Sequence, residues 1–302
     1  MISAEDQLVL GLPKRASPSR RSTAVSQLLR AVRDSANRAA EGAETTTLPM
    51  LEESPDDWRV CVANSQALRE EAYCLAYRVY LSRGYLEPQE PGWLTDPFDA
   101  TPETFTLLAQ DPQGHAAGTV TLNFDSPGGL HCDELYGAET GALRRQGRRL
   151  AEVTRFAIDP QFSNSKTLLI QLFNLIFLFA KHARNCTDFV IEVTPQHGHF
   201  YRRLLGFESL GPVKANPRVN GTFGLLLRLK FAFVEEEVRR WANADLEAAA
   251  RCRNLYRYYI HPTKEARVTA LLDGQHRPMS AAEAVYFGLL APAGQIMAHR
   301  TE

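Results

Sequence analysis

One short segment carries two opposite charges inside an otherwise apolar strand. Residues 152–159 read Glu-Val-Thr-Arg-Phe-Ala-Ile-Asp, a pattern whose apolar members favour a buried β-strand. An ionised side chain in a low-dielectric interior is costly unless it is paired. Because side chains alternate between the faces of a strand, we expect Glu152 and Thr154 on one face and Val153 and Arg155 on the other. Glu152 and Arg155 then each need a separate partner or a substrate, unless this is a solvated edge strand.

The composition narrows the class of protein. The 302-residue chain is 44% hydrophobic and 23% charged, as in an ordinary globular protein of one large or two small domains. A formal net charge of -1 argues against a nucleic-acid partner. Five scattered cysteines without a Cys-x-x-Cys pair indicate reduced thiols in the cytoplasm. We expect no signal peptide, and the apolar run 168–180 is shorter than the about 20 residues that span a bilayer.

Three regions differ in composition. Residues 1–55 are rich in Pro, Ser, Thr and Ala and contain no aromatic residue, which predicts a flexible tail with a frayed surface helix at 24–40. Residues 56–231 are predicted to form the main domain. Residues 232–302 are predicted to form a helical C-terminal extension.

The main domain is predicted to be an α+β (mixed α/β) fold, a central, mostly antiparallel sheet flanked by helices. The strands are predicted at 59–63, 104–109, 115–124, 150–158, 188–193 and 223–229, and the helices at 66–81, 166–183 and 197–205. The turn 111–114 joins two strands as a hairpin, and Gly206 ends a helix. Beyond this domain, helices are predicted at 235–259 and at 281–290, the second capped by Ser280.

The loop of residues 84–99 combines Pro, Gly and aromatic residues, as binding loops beside a sheet do. Its aromatic side chains would be costly to leave in water, so we expect a lid over an apolar ligand. A surface loop capped by aspartates is the simpler alternative. The candidate binding residues here and in the preceding helix are Arg78, Tyr80, Tyr85, Trp93, Asp96, Phe98 and Asp99.

The helix predicted at 166–183 is apolar on all sides. Such a helix is either fully buried, which is the commoner case, or lines an apolar cavity. If it lines a cavity, Phe173 and Phe177, together with Phe156 of the charged strand, are the residues expected to contact the ligand.

Tyr201 stands in a short helix before a Leu-Gly-Phe turn, where it is a candidate to protonate a leaving group. The alternative is an amphipathic helix whose tyrosine covers the sheet edge. Neither His197 nor His199 has a Cys or carboxylate at metal-ligand spacing, so no metal site is expected.

Three motifs in this order resemble one superfamily of enzymes. Asp96-x-Phe98-Asp99, downstream of Arg78 and Tyr80, is similar to the N-terminal signature of acyl-homoserine lactone synthases. Glu152-Val-Thr-Arg155-Phe156 resembles their Glu-x-Ser-Arg-Phe strand. Phe200-Tyr201-x-x-Leu-Leu-Gly206-Phe207, with the order of elements, resembles the GCN5-related N-acyltransferase fold. Over roughly residues 58–230, the chain most resembles the FeeM-type N-acyl amino acid synthases.

The segment before the apolar helix departs from this resemblance. Acetyl-CoA-dependent members have a Gly-rich loop there, whose N–H groups cradle the CoA pyrophosphate. This chain reads Gln-Phe-Ser-Asn-Ser-Lys-Thr at 161–167, with no glycine. We therefore favour an acyl-phosphopantetheine donor on acyl carrier protein, with acyl-CoA as the alternative and no bound cofactor.

A cluster of basic residues is the expected docking site for an acidic acyl carrier protein, since such a patch steers association. A solvated turn without contacts is an equally good reading. The residues are Arg144, Arg145, Arg148, Arg149 and Lys166.

The resemblance implies transfer of a long-chain acyl group to the α-amine of an amino acid, with tyrosine among the acceptors. Glu152 is expected to take the amine's proton or to orient the amine, and Arg155 to hold the acceptor carboxylate or to fix the lid through Asp96 or Asp99. A backbone N–H near Phe156 or Ala157, where the strand splays from its neighbour, would stabilise the oxyanion.

Two alternatives remain at this point. One is an acyl-homoserine lactone synthase that uses S-adenosylmethionine; Thr154 in place of Ser and the long extensions favour the amino acid synthase. The other is a non-catalytic module that binds acyl carrier protein or lipid. Peripheral membrane contact through a lipid product is a further expectation.

Overall fold

A sheet of eight strands forms the centre of the protein, for which a computed structural model describes residues 58–217, 221–242, 244 and 254–291. The strands are β1 Arg59–Val62, β2 Thr104–Gln110, β3 Ala116–Phe124, β4 Leu150–Ile158, β5 Asp188–Val193, β6 Glu208–Ser209, β7 Lys214–Ala215 and β8 Phe223–Lys230. Their order is β1-β2-β3-β4-β5-β8-β6, with β7 paired to β8. Only β4 and β5 pair in parallel among the described strands. The tail 1–55 and its predicted helix at 24–40 lie outside the described residues.

Helices cover both faces of this sheet. They are α1 Gln66–Ser82, α2 Asp133–Arg145, α3 Lys166–Leu178, α4 Pro195–Leu205, α5 Phe231–Ala242, α6 Pro262–Gln275 and α7 Ala281–Tyr286. Leu108 of β2 packs with α1 and Leu150 of β4 with α2, whereas Leu107 and Val153 share a core with α3 and α4. Since neighbouring residues of a strand face opposite ways, α1 and α2 cover one face and α3 and α4 the other. The predicted α+β architecture is confirmed.

Local caps fix the helices that border the site. Ser65 accepts the Leu68 N–H at the start of α1, and Ser165 accepts the Leu168 N–H at the start of α3, at 3.1 Å. Gly206 ends α4 with a φ of 70°, as predicted, and a Cβ there would collide with the Phe233 ring.

Several predicted helix boundaries are wrong. The helix predicted at 235–259 begins at Phe231, because Phe231 and Val234 already anchor its first turn in the core, and it is described as far as Ala242. Tyr256–Tyr258 is a 3₁₀ turn, and the predicted stretch 245–253 lies outside the described residues. The α-helix predicted to reach residue 183 ends at Leu178 and continues as a π turn, and the one predicted to reach 290 ends at Tyr286. α4 begins two residues early, at Pro195. Helices α2 and α6 were not predicted.

The described part of the C-terminal region packs into the core of the main domain. Leu255, Tyr256, Ile260 and Leu272 are buried in the same apolar cluster as α3. Glu265 of α6 also lies 2.9 Å from His182 in the π turn after α3. The two regions on either side of residue 231 therefore share one continuous core.

Candidate active site

A β-bulge turns Arg155 to the face of the sheet that also carries Glu152. The register between β3 and β4 shifts so that Arg155 and Phe156 together lie opposite Val120. Arg155 has a φ of 45°, a left-handed conformation that is uncommon outside glycine. The predicted alternation is therefore wrong at Arg155, whose guanidinium faces Tyr73 of α1 at 5.2 Å.

The guanidinium of Arg155 is bound to the loop of residues 84–99, which we call the lid loop. Its Nη1 donates to Asp99 Oδ2 at 2.5 Å and to the Leu94 carbonyl at 3.3 Å, and its Nη2 donates to Asp99 Oδ1. Burial alone would lower the pKa of Arg155, but the Asp99 carboxylate outweighs it and raises the pKa. Arg155 is thus a permanent cation whose terminal nitrogens hold the lid loop.

The end of the lid loop is a capped 3₁₀ turn, Pro97–Ala100. Asp96 Oδ1 accepts the Phe98 N–H at 2.9 Å, and Asp99 Oδ2 accepts the Asp96 N–H at 2.8 Å, which completes a capping box. The same Asp99 carboxylate receives Arg155. Folding of this turn therefore places both aspartates.

His131 joins the lid loop to the sheet, and the sequence reasoning missed it. Its Nε2 lies 2.8 Å from Asp96 Oδ1, its Nδ1 lies 3.5 Å from Glu152 Oε2, and the Asn123 amide lies 2.8 Å from Nδ1. The Phe98 ring packs against the imidazole at 4.3 Å between centroids. Burial alone would lower the pKa of His131, but Asp96 and Glu152 outweigh it and raise the pKa to about 9.

Glu152 is buried, with 2% of its surface exposed, and both of its oxygens face the Cys132 N–H at 3.1 and 3.3 Å. The contacts connect five residues end to end, with the Asp96 backbone N–H joining Asp96 to Asp99, and we call this set the charge network. It consists of Glu152, His131, Asp96, Asp99 and Arg155. With His131 protonated, three carboxylates oppose two cations, so the charge network carries a net charge of −1 and suits a cationic substrate group.

Beside the charge network, β4 separates from β5. Their pairing ends at Val153 and Ile191, although β4 continues to Ile158. Phe156 and Ala157 lie in the segment beyond this last pair, where we expected an oxyanion-binding N–H. The described strands thus leave an opening beside the bulge, on the side of β5.

Tyr201 of α4 lies in an aromatic cluster with Phe173, Phe200 and Phe207, at 6.0, 5.4 and 5.7 Å between ring centroids. Burial raises its pKa, and Tyr80 adds to the increase. The hydroxyl therefore stays protonated at neutral pH, as a proton donor must.

A model of the FeeM family of N-acyl amino acid synthases matches residues 71–230, slightly more than half of the chain. The chain belongs to this family. No protein of curated function matches it.

Comparison with solved structures gives several chains similar to this FeeM-family protein. FeeM, an N-acyl amino acid synthase from uncultured soil microbes, is 23% identical with a TM-score of 0.52, over 65% of this chain and 98% of that chain. The acyl-homoserine lactone synthase LasI is 16% identical with a TM-score of 0.44, over 58% and 90% of the two chains. A GNAT-family acetyltransferase from Streptococcus pneumoniae is 14% identical with a TM-score of 0.40, over 57% and 98%. The protein shares the fold of FeeM, and its family membership makes it an N-acyltransferase.

The other predicted binding residues of the FeeM-family protein are not members of the charge network. Tyr80 and Tyr85 pack edge to face at 5.7 Å, and Arg78 reaches Asp159 at 3.6 Å on the surface. Trp93 packs on Phe287 of the C-terminal region at 5.3 Å. Tyr80 and Tyr85 therefore pack against each other, whereas Arg78 and Trp93 are engaged with Asp159 and with the C-terminal region.

The two phenylalanines of α3 are fully buried. Phe173 packs on Phe156 at 5.2 Å and Phe177 on Phe231 at 5.0 Å. Both have 2% exposure or less. Phe173 therefore lies next to the bulge, whereas Phe177 lies toward the start of β5, and an acyl chain reaching either ring must displace neighbouring side chains.

The structure does not bring the predicted docking residues together. Arg149 precedes β4, whereas Lys166 begins α3 after the far end of β4, and Arg149 to Arg155 alone spans roughly 20 Å of extended chain. Arg148 pairs with the buried Asp188 at 2.5 Å, and Arg144 pairs with Asp125 and Asp133, both at 2.7 Å. Arg145, Arg149 and Lys166 are exposed.

The described residues contain no group of three or more His, Cys, Asp or Glu arranged to hold a metal ion. Within the same residues, no helix has the length and apolar character to cross a membrane.

Proposed function

We propose that the protein transfers an acyl group from a thioester on acyl carrier protein to the α-amine of an amino acid, giving an N-acyl amino acid. The observation that carries this proposal is the charge network of net charge −1 directly beside the opening between β4 and β5. An ammonium group suits the network, and an extended thioester arm suits the opening. Membership of the FeeM family supports both substrates.

The proposed reaction is an aminolysis. Glu152 accepts a proton from the acceptor's ammonium group, and the free amine attacks the thioester carbonyl. The backbone N–H of Phe156 or Ala157 binds the oxyanion of the tetrahedral intermediate. The C–S bond then breaks, Tyr201 donates its proton to the leaving thiolate, and the surplus proton of the attacking nitrogen passes to the Tyr201 oxygen. The amide and the free thiol leave, and Glu152 releases its proton to solvent.

The acceptor is proposed to bind on the α1 and α2 face. Arg155 is occupied by Asp99, so it fixes the lid loop and does not take the acceptor carboxylate. The Thr154 hydroxyl is buried without a partner among the described residues and is a candidate donor to that carboxylate. Tyrosine, whose ring suits the aromatic lid loop, is among the proposed acceptors.

The donor is proposed to bind along the opening, with its phosphate at the N-terminus of α3. There the first N–H groups of the helix and Lys166 offer hydrogen bonds and positive charge, although the loop before them has no glycine. Docking of acyl carrier protein is accordingly proposed at Lys166. The four cysteines of the described residues are free thiols, which fits work in the cytoplasm.

Mass spectrometry of a bacterial culture that expresses the chain tests this function. The expected products are N-acyl amino acids absent from a culture with empty vector, and their masses identify acceptor and chain length. Acyl-homoserine lactones in their place would contradict the proposal. If the extract contains no such product, the purified protein is assayed with acylated acyl carrier protein and all twenty amino acids. Lack of product in that assay would refute the proposal.

A further inference from the structure

Residues 277–290, which we call the strap, cover the outer side of α1 and the lid loop. The strap lies beyond residues 71–230, which the family model matches. It contains α7, whose Ser280 and Glu283 form a capping box. Its buried contacts with α1 converge on two residues that are four positions apart, Arg69 and Tyr73, and therefore on one side of that helix.

The first contact is a buried ion pair. Arg69 Nη1 lies 2.5 Å from Glu283 Oε1, and the two side chains are 6% and 8% exposed. Arg69 Nη2 also donates to the Arg277 carbonyl at 2.5 Å. Loss of one partner of such a pair leaves an uncompensated buried charge, so the pair holds the strap firmly in one place.

The second contact leads to the charge network through two aromatic rings. Phe287, with 3% exposure, packs edge to face on Tyr73 at 5.2 Å. The Tyr73 ring also contacts Arg155, whose guanidinium carbon lies 5.2 Å from the ring centroid. The Tyr73 carbonyl also accepts the Leu94 N–H of the lid loop at 3.1 Å.

The strap holds the lid loop directly as well. Trp93 packs on Phe287 at 5.3 Å and on Tyr286 at 5.4 Å. Trp93 immediately precedes Leu94, whose carbonyl accepts from Arg155. Phe287 thus contacts both Tyr73, whose ring faces Arg155, and Trp93 of the lid loop.

We propose that the strap is a positioning element of the acyl-transfer site, in which Glu283 and Phe287 set the position of Arg155 and the lid loop through Arg69, Tyr73 and Trp93. The inference rests on the proposed function for its effect on catalysis. Because a displacement of about 1 Å at a reacting group costs roughly 100-fold in rate, a loosened strap lowers turnover without removing any group that touches substrate.

The test is Glu283→Gln in the full chain. The glutamine carbonyl can still accept the Ser280 N–H of the capping box, and the substitution removes the charge that faces Arg69 and, at 4.0 Å, the exposed Arg277. We expect kcat to fall roughly tenfold, and hydrogen exchange to rise at residues 93–99 but not in β2 and β3. The double variant Arg69→Met with Glu283→Gln removes the unpaired guanidinium and is expected to recover most of both losses. The control is Glu236→Gln, which breaks an exposed pair with Arg240 and should change neither readout.

The two proposals fail in different ways. Wild-type protein without acyl transfer refutes the proposed function, and the exchange of residues 93–99 then still decides whether the strap fixes the lid loop. If Glu283→Gln folds and has the wild-type kcat and wild-type hydrogen exchange at residues 93–99, the proposed positioning role of the strap is wrong. An equal loss of activity in the double variant, with unchanged exchange, overturns it too.

Discussion

At the scale of single residues, His131 controls the charge state of the site. The imidazolium lies between the Asp96 and Glu152 carboxylates, with Asn123 and Phe98 as its uncharged neighbours. Its pKa of about 9 lies above the value of about 6.5 for a free imidazole. Its protonation therefore stabilises the folded state fully below about pH 6.5, and this contribution is lost as the pH rises through about 9.

His131→Gln should lower the free energy of unfolding by about 3 kcal/mol more near pH 6 than near pH 10, since the variant lacks the bridging charge. Urea unfolding of wild type and variant at the two pH values measures this difference. His199→Gln, on the exposed side of α4, is the control and should show no such pH dependence. A stability difference that stays constant with pH would contradict a bridging cation.

Glu152→Gln should reduce kcat about 100-fold, because an amide cannot accept the amine's proton. The fold should be retained, since an amide oxygen still accepts the Cys132 N–H. Steady-state kinetics with circular dichroism measures both effects. Full activity in the folded variant would remove Glu152 from the proposed mechanism.

Tyr201→Phe should reduce kcat by roughly 10-fold to 100-fold with an alkyl thioester donor, because the leaving thiolate loses its acid. An aryl thioester, whose thiolate needs no proton to leave, should restore most of the rate. Tyr258→Phe, at a half-exposed tyrosine, is the control. If the variant is equally slow with both donors, Tyr201 acts by packing on Phe173 and not as an acid.

At the scale of elements, the N-terminus of α3 is the proposed docking point for the donor. Lys166→Glu should raise KM for acyl carrier protein several-fold, because a repulsive charge at the rim of an interface costs roughly 1 kcal/mol. Arg149→Glu, an equal charge change at the other end of β4, is the matched control and should leave KM unchanged. The difference should vanish with an acyl-pantetheine donor that lacks the protein. A larger increase in KM for Arg149→Glu than for Lys166→Glu would indicate that acyl carrier protein docks at the start of β4 and not at α3.

The sequence predicts those parts of the site whose signal is local. Glu152 and Arg155 are evident as charges in an apolar strand, and Asp96 and Asp99 as caps. His131 is an isolated histidine 21 positions before Glu152, and only the fold of α2 against β4 brings the two together. The bulge that turns Arg155 to the other face occurs without glycine, so the sequence gives no sign of it.

Helices α2 and α6 were not predicted because their sequences carry weak helical signals. α2 contains Gly137 and Gly141 and a kink at Tyr136, all of which weaken its helical signal. α6 has a narrow apolar face of Val268, Leu271 and Leu272, of which only Leu272 is fully buried, so its helical signal is weak. Both helices owe their formation to tertiary contacts, which single-sequence reasoning does not contain.

At the scale of the whole molecule, the C-terminal region completes the core of the acyltransferase domain. Leu255, Tyr256, Ile260 and Leu272 fill the cluster on the α3 side. Burial of four such side chains contributes about 6 to 12 kcal/mol, which is comparable to the entire stability of about 5 to 15 kcal/mol of a typical domain. The family-matched residues 71–230 therefore depend on residues outside the match.

A chain that ends at residue 231 should for this reason fail to fold cooperatively. A chain that ends at residue 276 keeps all four core side chains and loses the strap and residues 291–302. Thermal unfolding by circular dichroism, together with binding of a hydrophobic dye, measures the difference. The longer chain should give a cooperative transition with low dye binding, and the shorter chain a broad one with high dye binding. Equal, sharp transitions for both would mean that the acyltransferase domain is complete at residue 231 and that the C-terminal residues only cover it.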